Sequence, residues 1–333
     1  MTTATPAWKI WAALWTVYLV WGSTYLAIRV MVETVPPLLG AGARFTVAGA
    51  VMVAVLSARR SVRPTRAQLA SALLVGILLP GANAVVTVAE QEVPSGLAAL
   101  LIASVPLWVI LLRRAAGEPA PRASVGAVLV GFAGVALLLR PGEQSGDATV
   151  LGLAACVGAA VMWATGSFAS PRLRLPRDPL VSTGWQMLLG GLVCSLVGLA
   201  VGEAGDVHPA AFSVRSVVAL AYLIVVGSWV AFTAYAWLLQ NAPISRVATY
   251  AYVNPVVAIV LGWLILDEVV TPITLVGAAI IVVSVALVVR IEGTRRTGHR
   301  DRVTHDRAEP VAVRAERDGV GLRQAGAVGR TGE

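Results

Sequence analysis

The chain has 333 residues, of which 57% are hydrophobic and 13% charged, about half the charged share of a soluble domain, and its mean hydropathy is +0.77. That balance excludes an ordinary soluble protein and a disordered one. The net charge of +8 does not mark a nucleic-acid binder, because the bases stand in short clusters between apolar runs, a pattern of membrane topology. Two cysteines, Cys156 and Cys194, exclude a disulfide framework or a Cys-rich metal site. The histidines His208, His299 and His305 lie outside the apolar runs, and there is no HExxH and no GxxxxGK followed by Ser or Thr. A buried zinc site and a P-loop ATPase are therefore not expected, and no cofactor is implied. Trp (10) outnumbers Tyr (6) and Phe (5), as in interfacial belts.

A helix needs about 20 apolar residues to cross the hydrocarbon core. Ten such runs occur, at roughly 10–31, 38–58, 67–89, 94–112, 123–140, 149–170, 180–201, 216–240, 244–266 and 272–290. The first is long, follows Lys9 and lacks a small-residue cleavage site, so it reads as a retained span rather than a signal peptide. Its middle holds Trp21, Ser23, Thr24 and Tyr25; Arg29 near its end is expected to snorkel to the surface. The second run carries Arg44 about six residues, roughly 9 Å, from its start. An Arg at the bilayer centre costs at least ~2.5–3.5 kcal/mol, so Arg44 should face the interior and have a partner. It either binds a substrate carboxylate bidentately, pairs structurally with Glu33, Glu90 or Glu92, or snorkels outward.

Asn83 in the third run and Gln186 in the seventh are polar residues expected to bond to neighbouring helices. Gln91 and Gln240 stand at run ends, as caps or gates. Pro106 and Pro255 lie mid-run in the fourth and ninth, beside Ser104 and Asn254. A proline frees a carbonyl, which a membrane tolerates where the backbone lines a cavity or is satisfied by neighbours. The two prolines therefore read as hinges framing a site, against a plain packing kink. Trp163, with Thr165 and Ser167, mirrors Trp21 and its hydroxyls; both groups read as cavity wall or as close helix packing. Tyr235, Trp237, Tyr250 and Tyr252 form an aromatic set in the eighth and ninth runs.

Arginine sets the topology. With the N-terminus inside, eleven arginines (59, 60, 63, 66, 113, 114, 122, 172, 174, 177 and 246) fall inside, and Arg29, Arg140 and Arg215 fall outside with nine acids, among them Glu33, Glu90, Glu92, Asp267 and Glu268. Both termini are expected in the cytoplasm of a multi-pass cell-membrane protein. Residues 292–333 are polar, Gly-rich and mixed in charge, and read as a disordered cytoplasmic tail.

The chain also matches itself. A shift of 142 pairs Trp21 with Trp163, Pro37 with Pro179, Gly42 with Gly184 and Gly49 with Gly191. A shift of 149 pairs Gln91 with Gln240, Pro94 with Pro243 and Pro106 with Pro255; a shift of 150 pairs Glu118 with Glu268 and Arg140 with Arg290. Two repeats follow, 8–140 and 149–291, each of five helices. Five is odd, so the halves face opposite ways across the bilayer. Inverted repeats build secondary transporters, with the site at their interface; duplication kept for stability alone is the alternative.

Trp21-Gly22-Ser23-Thr24-Tyr25-Leu26-Ala27, Pro37 with Arg44-Phe45, Gly117-Glu118, Gly131-Phe132-Ala133-Gly134-Val135 and Tyr252-Val253-Asn254-Pro255-Val256 resemble the EamA-domain family of the drug/metabolite transporter superfamily over about residues 8–291. The resemblance implies an all-α fold of ten transmembrane helices in two inverted five-helix repeats. It also implies a carrier of small metabolites, amino acids or drugs that usually exports. Asp267-Glu268 departs from the family's usual Gly-Glu, and Arg113-Arg114 ends the fourth run early.

The sequence thus points to a secondary carrier embedded in the lipid bilayer. Proton coupling has no acid mid-run to support it, and a facilitator fits equally well. A coupling ion (H+ or Na+) and a homodimer stay open. A non-transporting scaffold or sensor is the alternative. An intramembrane enzyme would need paired catalytic groups, and no Asp or His lies mid-run.

Overall fold

The computed structural model describes residues 6–59, 63–119, 121–139, 148–242 and 244–308. Arg60, Arg140, Pro243 and residues 309–333, which enter the topology, the repeat and the tail, lie outside them. The described residues are helical, with no strand. The helices are α1 (Ala7–Met31), α2 (Pro37–Arg59), α3 (Arg66–Ala89), α4 (Ser95–Ile102), α5 (Val105–Ala115), α6 (Arg122–Leu138), α7 (Val150–Ala169), α8 (Pro179–Ala200), α9 (Val214–Tyr222), α10 (Ala231–Asn241), α11 (Ile244–Val247), α12 (Tyr250–Leu266) and α13 (Pro272–Ala308). Eight segments are long and apolar enough to cross a membrane: α1, α2, α3, α4 with α5, α7, α8, Val214–Asn241, and Pro272–Ile291 within α13. Two more apolar helices, α6 and α12, have 17 residues each.

Three runs depart from a plain helix. The fourth breaks at Ala103–Ser104 between α4 and α5 and runs on to Ala115. Pro106 follows the break near the start of α5, where its missing N–H disturbs no helical bond. Pro255 instead lies inside α12. The eighth run holds a π-helical stretch, Leu223–Val230, between α9 and α10. The ninth splits into the short α11 and α12 around a turn at residues 248–249. Residues 292–308, expected to lack regular structure, are helical, and no proline intervenes before Pro310.

The packing is reciprocal. The α2–α8 contact is glycine-lined: a Cβ on Gly49 would strike the Leu188 Cα at 2.7 Å, and one on Gly191 would strike the Thr46 Oγ1 at 2.7 Å. Gly49 and Gly191 are 142 residues apart, as are Thr46 and Leu188, so matched positions meet across this contact. In the same way α3 packs on α7 while α1 packs on α9 and α10, and α4 and α5 pack on α7 while α1 packs on α12. With lipid as apolar as the side chains, such close backbone approach is what holds membrane helices together.

Carboxylates secure the helix ends. Glu268 accepts from the backbone N–H groups of Ser95 (2.7 Å) and Gly96 (3.2 Å), and Glu203 from those of Leu38 (3.0 Å) and Leu39 (2.8 Å). These satisfy orphan donors of α4 and α2 and complement the helix dipoles. The Asp267 departure is accommodated: the position is left-handed (φ 53°), as is Gly117 (φ 78°), and Asp tolerates that region better than most residues. Glu118 holds Arg113 (2.8 Å) and Arg172, tying the end of α5 to the turn after α7. The Arg113 hydrogen bond, with Arg172 nearby, keeps the Glu118 carboxyl below the usual carboxylate range.

Candidate functional site: a central cavity around Arg44

A cavity of about 150 Å³ lies among the helices of both halves. Trp21, Thr24, Tyr25, Arg44, Asn83, Pro106, Trp163, Gln186, Asn254 and Pro255 line it. Phe45, Pro80, Met187 and Phe232 complete much of the apolar wall. They carry no polar signal, and only the fold reveals them. Arg44 and Gln186, 142 residues apart, both line it, so a cation and a neutral amide face the same space.

Arg44 is 3% exposed. Its Nη1 donates to Asn83 Oδ1 at 3.0 Å and its Nε to Ser228 Oγ at 3.4 Å, while its guanidinium lies 4.7 Å from the Phe45 ring centre. The structural pair with Glu33, Glu90 or Glu92 does not form: no carboxylate reaches ion-pair distance of Arg44 among the described residues. Two of its five N–H donors are engaged. The π-helical stretch explains Ser228: the extra residue per turn lets its hydroxyl donate to the Leu223 carbonyl five residues back (3.0 Å) while receiving Arg44. Gly227 lies beside it, where a Cβ would come 3.2 Å from Thr24 Cγ2 and 3.4 Å from Arg44 Nη2.

Trp21 forms the aromatic wall. Its ring lies 5.1 Å from Phe232, Tyr235 and Tyr250. Trp237 packs in the same cluster. Thr24 donates to the Trp21 carbonyl (2.6 Å), so its hydroxyl is locally satisfied. Gln186 donates to Ser182 Oγ at 2.8 Å, and Asn254, 9% exposed, leaves its Oδ1 without a partner.

Five predicted positions fall elsewhere. Ser23 bonds to the Tyr222 hydroxyl (2.6 Å) and the Val20 carbonyl; it stands about 200° around α1 from Trp21 and so faces α9. Ser167 is one turn beyond Trp163, outside the cavity, and Tyr252 packs into the core around Leu107. Gln91 and Gln240 are exposed at helix ends. Arg29 is half-buried near the end of α1. Its Nη1 donates to the carbonyls of Glu90 and Gln91 (2.6 Å to the latter), closing the end of α3. Among the described residues there is no cluster of three His, Cys, Asp or Glu able to hold a metal.

The cavity is apolar, with a buried cation and a few convergent amides, the usual make-up of a small-molecule site. The comparisons agree with a transport role. The inner membrane transporter YedA of Escherichia coli is 36% identical over 281 residues, 84% of this chain and 90% of that protein. The transporter YvbV of Bacillus subtilis is 27% identical over 280 residues, 81% and 88% of the two chains. A WAT1-related chloroplastic protein of Arabidopsis thaliana is 27% identical over 297 residues, 85% of this chain and 70% of that one. One solved crystal structure shares the fold at a TM-score of 0.59 and 24% identity, covering 85% of this chain and 96% of that one. The model of the EamA-like transporter family matches residues 8–140 and 150–290. The chain belongs to the EamA-like transporter family, whose relatives are named as membrane transporters.

Proposed function

We propose that the chain is a secondary carrier that exports a small, carboxylate-bearing amphipathic solute by alternating access through the central cavity. One observation carries the reading. Arg44 is buried without an acid partner, in a space walled by aromatic rings and amides. A desolvated guanidinium with free donors is the group that receives a carboxylate bidentately. Trp21, Trp163 and Phe232 suit an apolar or aromatic remainder, and Asn254 and Gln186 suit a polar group opposite the carboxylate.

Ten crossings in two inverted repeats, with both termini in the cytoplasm, fit this reading. The reciprocal α2–α8 contact supports the repeat, and the arginine-rich loops support the orientation. The two halves then give two near-equivalent gates around one site. The helix break before Pro106 and the proline inside α12 supply the flexible walls.

The test compares culture-medium metabolites from cells producing the native chain and Arg44→Ala at matched membrane levels. A carboxylate that accumulates outside only with the native chain is the expected result. Equal accumulation with both would refute the role of Arg44.

A further inference from the structure

Glu90 stands just past the end of α3, and the sequence places it among acids at helix ends. The fold does more with it. Its side chain is 0% exposed, and among the described residues both carboxylate oxygens lack a hydrogen-bond partner. The Ser95 hydroxyl, also 0% exposed, is unpartnered as well. Ser95 Oγ and Glu268 Oε2 both border Gly262.

The charged and titratable groups around Glu90 come from every element packed on it: Arg29 and Tyr25 from α1, Arg44 from α2, Cys156 from α7, and Glu268 beyond α12. Arg29 and Arg44 favour its charged form, but among the described residues neither forms an ion pair with it, and burial with the Glu268 charge outweighs them. Arg29 Nη1 is spent on backbone carbonyls, including that of Glu90 itself, and Arg44 bonds to Asn83 and Ser228. Glu268 adds a second negative charge, fixed by the α4 N–H groups. A bare carboxylate in such a place is far costlier than the acid form, so the closed packing requires a proton on Glu90.

The site also breaks the repeat. The 149-residue shift that matches Gln91 with Gln240 puts Leu239 opposite Glu90, and Leu239 is exposed. The acid therefore belongs to one end of the bundle only.

We propose that Glu90 is a proton-binding site: it holds H+ while its end of the bundle is packed shut and releases it when that end opens. On release the Oε–H bond breaks, its electron pair stays on the carboxylate, and the proton passes to water entering at that end. The coupling role rests on the carrier reading above; the proton site itself does not.

Two measurements on the full chain in liposomes need no substrate. In infrared difference spectra at neutral pH, native minus Glu90→Gln should show the carbonyl band of a protonated carboxylic acid. The band should persist in Glu268→Gln and fade in the native protein as pH rises, which keeps the test alive if Glu90→Gln does not fold. Hydrogen exchange of residues 86–98 should rise about tenfold in the native protein relative to Glu90→Gln between mildly acid and alkaline pH, once intrinsic rates are divided out. A native protein without the band, or an exchange ratio of one at every pH, would overturn the site. In the export assay, a protonophore should abolish accumulation by the native chain. Export that ignores the protonophore would overturn the coupling, while a band without any export would sink the carrier reading and leave the proton site.

Discussion

Arg44→Met separates a binding role from a structural one, because the two roles move stability in opposite directions. Arg44 makes hydrogen bonds to Asn83 at 3.0 Å and Ser228 at 3.4 Å. A hydrogen bond to a charged group contributes about 1.5–3 kcal/mol, and the longer one less. Against this stands the removal of a guanidinium from water without a carboxylate partner, a penalty of several kcal/mol per ion. Met fills similar volume without charge. The fold should therefore stay neutral or gain up to about 1–4 kcal/mol, the range seen when buried ions give way to apolar groups. Binding of a carboxylate should weaken about 10- to 150-fold, which is the loss of one charge-assisted pair. The assay is thermal unfolding in detergent beside export at matched membrane levels. A melting temperature that falls steeply, with export per folded molecule unchanged, would refute the reasoning and make Arg44 a structural group.

Three further outcomes follow from the packing and the helix ends. Gly49→Leu should abolish assembly, because any Cβ there meets the α8 backbone, whereas Gly158→Ala faces open space and should be silent; membrane yield and detergent melting distinguish them. Glu268→Ala should destabilise by about 1–2 kcal/mol through the lost cap on α4, with Glu268→Gln recovering part of it, as read by thermal unfolding. Glu118 is held below its ordinary range by Arg113 and Arg172, so its tie is fully present above about pH 4.3 and is lost as pH falls through the lowered value. Proteolysis at residues 113–122 should therefore accelerate on acidification, and Glu118→Gln should remove that dependence.

Much of this molecule is legible in the chain. Apolar length alone marks the eight membrane-length segments, since a bilayer imposes it; the fifth and ninth runs, also expected to cross, contain the 17-residue helices α6 and α12. The Trp21/Trp163 and Pro106/Pro255 pairs, matched along the chain, all line the cavity. Other features need the fold. The π-helical stretch leaves no period in an all-apolar run, so Ser228 gives no sign of being the Arg44 acceptor. Ser23 and Tyr252 sit near true lining residues in sequence but point elsewhere, as 100° per residue dictates. Glu90 looks like any acid at a helix end until α1, α7 and the segment after α12 close around it.

The most direct measurement loads liposomes bearing the full chain with an equimolar set of small carboxylates, their amides and the matching amines, and follows each compound outward by mass spectrometry. The account requires carboxylates to leave faster than their amides through the native chain, and the advantage to vanish in Arg44→Met. Amides or amines leaving as fast as carboxylates, or a preference that survives the substitution, would contradict a carboxylate site at Arg44.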